Sequence, residues 1–153
     1  MEKVTVHELD RHLSTASVKR PVGEALGIEG FALHYYALDP GETFSTNLHT
    51  HLDQEEVFYI LEGTATFETE EGTIDVGAGE AIRFAPGEYQ HGRNDTDSRV
   101  AGLAMGAPRE STEGRIECPA CGAREQPVIE WTDDRSAIVY ECPACGAEIN
   151  RQN

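Results

Sequence analysis

Two sets of side chains in this sequence have the types and spacing needed to hold a metal ion. The first is His49-Thr50-His51, followed by a carboxylate at Glu55 or Glu56. On a β-strand, residues i and i+2 leave the same face, so both imidazoles can reach one ion. Two histidines and one carboxylate leave coordination positions open for substrate and dioxygen, the arrangement used by non-haem iron oxygenases. Taken alone, a His-x-His pair is weak evidence, since most such pairs are the polar face of an ordinary strand. The second set is Cys118-Pro119-Ala120-Cys121-Gly122, which recurs as Cys142-Pro143-Ala144-Cys145-Gly146. Each turn can aim backbone amides at two thiolates, and four thiolates satisfy the tetrahedral preference of zinc. The alternatives are two disulfides or a redox Cys-x-x-Cys. A reducing cytoplasm disfavours the first, and the second needs no duplication.

What must position these groups is a run of short strands. No segment of the first 114 residues has convincing helical periodicity. Strand-like stretches fall at 31–38, 56–61, 64–69, 73–76, 81–85 and 99–105, separated at short intervals by Gly63, Gly72, Gly77, Gly79, Pro86-Gly87 and Asn94-Asp95. This pattern predicts an all-β fold, an antiparallel sandwich or barrel. Strand parity directs Glu56, Phe58 and Ile60 inward and Val57, Tyr59 and Leu61 outward. An outer face that is itself apolar predicts a covering partner, plausibly a second subunit in a homodimer. Between the cysteine pairs, 127–131 and 136–141 read as strands flanking an Asp133-Asp134 turn. The expected domains are an N-terminal segment (1–30), a barrel (31–108), a polar linker (109–114) and a small four-cysteine unit (115–153). That last unit has little core of its own, so a metal must supply much of its folding energy.

The spacing around the first histidine pair resembles the first motif of the cupin family: His-x-His, four residues, Glu, six residues, Gly. His49, His51, Glu56 and Gly63 meet every interval, which selects Glu56 over Glu55. The glycine that usually precedes the pair corresponds to Gly41, across a loop two residues longer. In the second motif Gly79, Gly87 and Asn94 hold register, and they put Gln90 where the family carries its fourth ligand, a histidine. His91 is one residue late, and Pro86 is likewise displaced, with Ala85 in its place. A one-residue slip turns a strand side chain to the opposite face, so Gln90 is expected inward unless a bulge restores His91. The resemblance covers about residues 30 to 107, and 115 to 150 resembles a zinc ribbon. It implies a small single-domain cupin (cupin type 2), a jelly-roll barrel with a C-terminal ribbon. The implied barrel metal is a divalent transition ion (Fe, Mn, Ni or Zn) on His49, His51 and Glu56, with Gln90 or His91 fourth. Cys118, Cys121, Cys142 and Cys145 would hold a structural zinc.

Composition narrows the function classes. The chain carries 28 acidic and 12 basic residues, a net charge of -16, with the acids dispersed among apolar stretches. Such a surface repels nucleic acid, and residues 115–153 hold four Arg against seven acids, so the ribbon has no basic patch. Dispersed acidity instead suits a folded protein of a halophilic-archaeal type, working in a salty cytoplasm. No apolar run approaches a membrane span and no export signal opens the chain, which makes a cytoplasmic location the expectation. Phe44, Phe58 and Phe84 read as core. Arg83 reads either as an outward ion-pair partner or as an interior grip for a carboxylate or phosphate. His34, Tyr35 and Tyr89 are the potential proton donors, and His7 and His12 receive no role. The leading expectation is a mononuclear metal enzyme, of dioxygenase or isomerase type, acting on a small polar molecule. The alternative is a ligand-sensing or protein-interaction module in which only the ribbon is metallated.

Overall fold

In the computed structural model, which describes residues 1–111 and 114–152, the regular structure is β apart from a 3-10 turn at Val6–Glu8 and one helical turn at Val22–Ala25. Its first strands are β1 (Val18–Arg20), β2 (Ala32–Leu38), β3 (His49–His51), β4 (Glu55–Glu62) and β5 (Thr64–Thr69). They are followed by β6 (Gly72–Gly77), β7 (Ala81–Phe84), β8 (Gln90–Arg93) and β9 (Val100–Ala107). The C-terminal part adds β10 (Gly114–Glu117), β11 (Arg124–Glu125), β12 (Val128–Trp131), β13 (Ile138–Glu141) and β14 (Glu148–Gln152). The strands form two main antiparallel sheets, ordered β1-β2-β9-β4-β7 and β11-β10-β3-β8-β5-β6, and a third of β12-β13-β14. These antiparallel sheets fit the sandwich or barrel that the turn spacing predicts, and are consistent with the jelly roll that the resemblance implies.

The core lies between the two large sheets. Leu38, Phe44, Phe58, Ile60, Phe67, Phe84 and Val100 pack into one buried cluster. Phe67 is its centre, with ring centroids 5.0 Å from Phe58, 5.6 Å from Phe84 and 5.8 Å from Phe44. Strand β4 shows the expected alternation: Phe58 and Ile60 are 4% and 0% exposed, whereas Tyr59 and Leu61 are 37% and 46% exposed. Two glycines are dictated by this packing. Gly63 turns the chain from β4 into β5 at φ 76°, and a Cβ there would lie 2.5 Å from the Arg99 carbonyl oxygen. At Gly92 a Cβ would meet the Phe67 ring at 2.5 Å, so β8 closes on the aromatic cluster only without a side chain at that position.

Both ends of the chain are stitched into these sheets. Within the N-terminal segment, β1 pairs with β2 and sets Lys19 opposite Tyr36. After β9 and a cis Ala107-Pro108 bond, Gly114–Glu117 pairs with β3 and sets Ile116 opposite His49. The last residue of the expected linker therefore opens a sheet strand, while Thr112 and Glu113 of that linker lie outside the described residues. Among the described residues, no helix is long and apolar enough to cross a membrane.

Net charge has a mechanical consequence for this fold. Arg93 already bridges Glu68 and Asp95, at 2.8 and 2.7 Å, and Arg124 bridges Glu70 and Glu117, yet acids outnumber bases more than twofold. The remaining carboxylates repel one another over roughly 10 Å at 0.1 M salt and only about 3 Å at 1 M. The thermal midpoint is therefore expected to rise steeply as KCl is raised from 0.1 to 2 M. A midpoint that stays flat or falls, followed by circular dichroism, would show that self-repulsion does not govern stability here.

Candidate metal centre and its cavity

Strand β3 and the start of β4 bring His49, His51 and Glu56 together, with one potential ligand atom from each lying within 4.8 Å of the others. His49 Nδ1 sits 3.0 Å from the Asn47 carbonyl. Donating that proton fixes the tautomer and turns the Nε2 lone pair toward the centre, where the Gln90 amide stands 3.2 Å away. His51 Nε2 stands 3.8 Å from Glu56 Oε2, and its Nδ1 is buried with no partner. Burial, assisted by the neighbouring His51, pushes the His49 imidazole down to about 4, so it is neutral and able to ligate at pH 7. Burial also raises the Glu56 carboxyl above its ordinary range, against the opposing pull of His51 and Gln90. Two imidazoles and a carboxylate desolvated without a counter-cation fit a divalent ion.

Gln90 is 2% exposed, and its backbone is the β-partner of His49. Its Nε2 donates to Glu56 Oε2 at 3.0 Å and lies 3.2 Å from His49 Nε2, while its Oε1 is buried without a partner. It therefore stands beside the three potential ligands, with its amide nitrogen toward two of them. His91 takes the other face of β8, opposite Glu68 of β5, and is not part of the three-residue group. Glu55 is equally excluded: it turns outward and accepts from Arg83 Nε at 2.5 Å. That ion pair answers the question of Arg83, which grips nothing inside.

The three groups open into a cavity of about 390 Å³. Phe44 and Phe58 form part of its apolar wall, while His34 and Tyr36 reach it from β2. Burial, and then the charges of Lys19 and His12, push His34 down to about 4, and burial raises the Tyr36 phenol. Of the potential proton donors only His34 lines the cavity. Tyr35 packs edge-on against His7, 5.4 Å away, and Tyr89 lies beneath the Arg124 guanidinium at 4.5 Å. Among the polar residues of the cavity that escaped sequence reasoning are Lys19, Gln54 and Arg109. Gln54 donates to the Pro108 carbonyl at 2.6 Å and so ties the start of β4 to the chain leaving β9. The one available signal was scarcity, since Lys19 is one of two lysines in the chain.

The four cysteines converge at a second centre. Cys118 and Cys145 sulfurs are 3.8 Å apart, and those of Cys121 and Cys142 are 3.7 Å apart. A disulfide requires about 2.05 Å. A tetrahedron with metal-sulfur bonds of about 2.3 Å has edges of about 3.8 Å, so the spacing fits a bound ion. The two knuckles repeat each other in detail: Cys118 and Cys142 each donate N–H to a carbonyl five residues on, and each accepts from the glycine four residues on. Burial opposes ionisation of the Cys118 thiol, yet amide donors from Cys121 and Ala120 draw it down to about 7. At Cys121 the Ala123 amide favours the thiolate, but hydrogen bonding to the Cys145 sulfur pushes it up to about 12. Crowded sulfurs like these ionise together only around a cation.

This second centre is not remote from the first. Ile116 and Tyr140 line the cavity, and Asn150 Nδ2 donates to Thr46 Oγ1 at 2.7 Å on its rim. The cysteine unit thus forms one wall of the space above His49, His51 and Glu56.

Residues 34–106 match the family model described as "Cupin domain". Among solved structures, a polyketide cyclase, RemF from Streptomyces resistomycificus, is 23% identical, with a TM-score of 0.66 over 80% of this chain and 89% of its own. A sugar phosphate isomerase from a cupin superfamily, from Silicibacter pomeroyi, is 19% identical, with a TM-score of 0.63 over 96% and 91%. A predicted oxalate decarboxylase from Thermotoga maritima is 21% identical, with a TM-score of 0.60 over 70% and 99%. At these identities the likeness is one of fold. No curated protein matches the chain.

Proposed function

We propose that the barrel, whose residues 34–106 match the cupin domain model, holds one divalent transition-metal ion on His49, His51 and Glu56 and works as a mononuclear metal enzyme on a small polar molecule. The observation that carries this reading is the convergence of those three groups at a cavity large enough for a metabolite. Bound there, the ion would polarise a substrate oxygen or offer a position for dioxygen. The chain's own residues do the rest. Gln90 holds Glu56 in place through its amide, and the Asn47 carbonyl orients His49. Phe44 and Phe58 keep one wall dry, and His34, held neutral by burial, stands on the wall as a hydrogen-bonding group. The fold alone does not choose among dioxygenase and isomerase chemistries. In this reading the four cysteines hold a structural zinc, the chain works in a reducing cytoplasm, and a second copy covers Tyr59 and Leu61.

A second reading rests on Gln90 itself. A neutral amide binds a transition metal more weakly than imidazole, which favours the barrel as a ligand-sensing or protein-interaction module with metal only at the cysteines. Elemental analysis of protein purified at high salt separates the two: the enzyme reading expects two metal ions per chain, the module one. Oxygen uptake and isomerisation assays with small metabolites then test turnover. One ion per chain, lost only with the cysteines, would end the enzyme reading.

A further inference from the structure

The cavity has the opposite electrostatic character from the protein that surrounds it. Of the chain's 28 acidic residues, Glu56 alone among the described residues lines it, and that one belongs to the metal centre. Lys19 and Arg109 both line it. Each is half-buried, and neither forms an ion pair or a side-chain hydrogen bond among the described residues. Elsewhere Arg83, Arg93, Arg124 and Arg151 all sit against carboxylates. In a chain where acids exceed bases more than twofold, the cavity reverses the balance: among the described residues two cations and a single carboxylate line it.

Their placement is built by the fold. Lys19 comes from β1, opposite Tyr36 of β2, with its ammonium 5.6 Å from the Tyr36 ring centroid. Arg109 follows β9, the other neighbour of β2, on a segment pinned through Pro108 by Gln54. Both positive charges act on His34, between them on β2, and Lys19 also acts on Glu56. The cationic end therefore lies within electrostatic reach of the metal ligands. Ser45, whose hydroxyl is buried without a partner, lines the same cavity and adds an unused donor.

We infer that the molecule bound in the barrel is a small anion, a carboxylate or a phosphate, whose negative group sits against Lys19 and Arg109 while its other end reaches His49, His51 and Glu56. This rests on the cavity being the substrate site, as proposed above, and adds the substrate's charge. Charge-assisted hydrogen bonds in a partly desolvated pocket discriminate strongly between an anion and a neutral molecule of the same size.

The test is calorimetric titration of the full chain with inorganic phosphate, succinate and, as the neutral control, erythritol, at constant ionic strength. One anion should bind more tightly than erythritol, and which one does distinguishes phosphate from carboxylate. Lys19→Met and Arg109→Gln should each weaken it about tenfold or more, while barrel and cysteine metals, measured on the same samples, stay at wild-type levels. Metal retention also shows that the variants are folded. Absence of anion binding, equal binding of erythritol, or unchanged affinity in both variants overturns the inference. Binding lost in His49→Ala but kept in both cation variants means the ion itself holds the anion, which overturns this inference and leaves the metal centre standing. Lys19-dependent binding in protein without barrel metal has the reverse meaning.

Discussion

Cys118→Ser is expected to strip the metal from the cysteine cluster, unravel the C-terminal unit and, through it, open the barrel cavity. Within itself the unit has little else to hold it; toward the barrel it has the β10–β3 pairing and the Arg124–Glu70 ion pair. Its buried residues are Cys118, Ala137, Val139 and Cys142, two of which are the ligands themselves, while Val128, Ile129 and Trp131 are 43%, 56% and 58% exposed. Segments of about 40 residues with so small a core require a staple, and a structural zinc supplies on the order of 10 kcal/mol to folding. Loss of one sulfur leaves three ligands and a buried hydroxyl in their midst. Beyond the unit, the Asn150 bond to Thr46 and the Tyr140 wall of the cavity depend on β13 and β14. The barrel core of phenylalanines contains no residue of this unit and should survive. Limited proteolysis should therefore cut the variant within the C-terminal 40 residues and leave a resistant barrel. Fluorescence anisotropy of Trp131, the single tryptophan of the chain, should fall. Affinity for any cavity ligand should drop as well. A variant that keeps its cysteine metal and resists cleavage would show that packing, not the ion, holds the unit.

How far these features can be read from sequence depends on how local their causes are. The cysteine knuckles are legible because the turn is set within five residues by Cys-Pro-Ala-Cys-Gly, with glycines at φ 73° and 72° closing each one. Strand β4 is legible because eight residues suffice to show period-2 alternation. Gln90 inward and His91 outward follow from counting, since the register between Gly79, Gly87 and Asn94 leaves no bulge to reset it. What fails is whatever depends on a distant partner. Strand β8, Gln90–Arg93, has no strand-forming character, and it is extended because β3 and β5 pair on either side of it. Gly114–Glu117 straddles the expected boundary between linker and ribbon, yet β3 recruits it. Lys19 sits in a strand of three residues, too short for any pattern, and enters the cavity only because β1 registers against β2. The cation that assigns the substrate's charge was therefore hidden in the segment with the least sequence signal.

His49→Ala is expected to remove the barrel metal completely while the cysteine metal and the fold remain, so that metal content falls from two ions per chain to one and turnover disappears. The barrel does not need its ion to fold: the Phe44, Phe58, Phe67 and Phe84 cluster lies beneath the site and is built from sheet-to-sheet contacts. Removing one imidazole from a set of three leaves His51 and Glu56, with Gln90 as a weak neighbour, too few donors for a transition ion to outcompete water. Glu56→Gln sharpens the experiment. It preserves shape but removes the charge, and should lose the metal equally. In the metal-free state it should even stabilise the barrel at neutral pH. Burial holds the Glu56 carboxyl above its ordinary range, so the folded protein binds this proton more tightly than the unfolded chain does. The wild-type apo barrel therefore gives up stability as pH rises through that raised value, and the glutamine variant does not. A higher thermal midpoint for Glu56→Gln than for metal-stripped wild type at pH 8, vanishing as pH is lowered toward 4, would identify the carboxylate as a group kept in place for an ion at the expense of the fold. Equal midpoints at both pH values, or wild-type metal content in His49→Ala, would remove the barrel site from consideration as a metal centre.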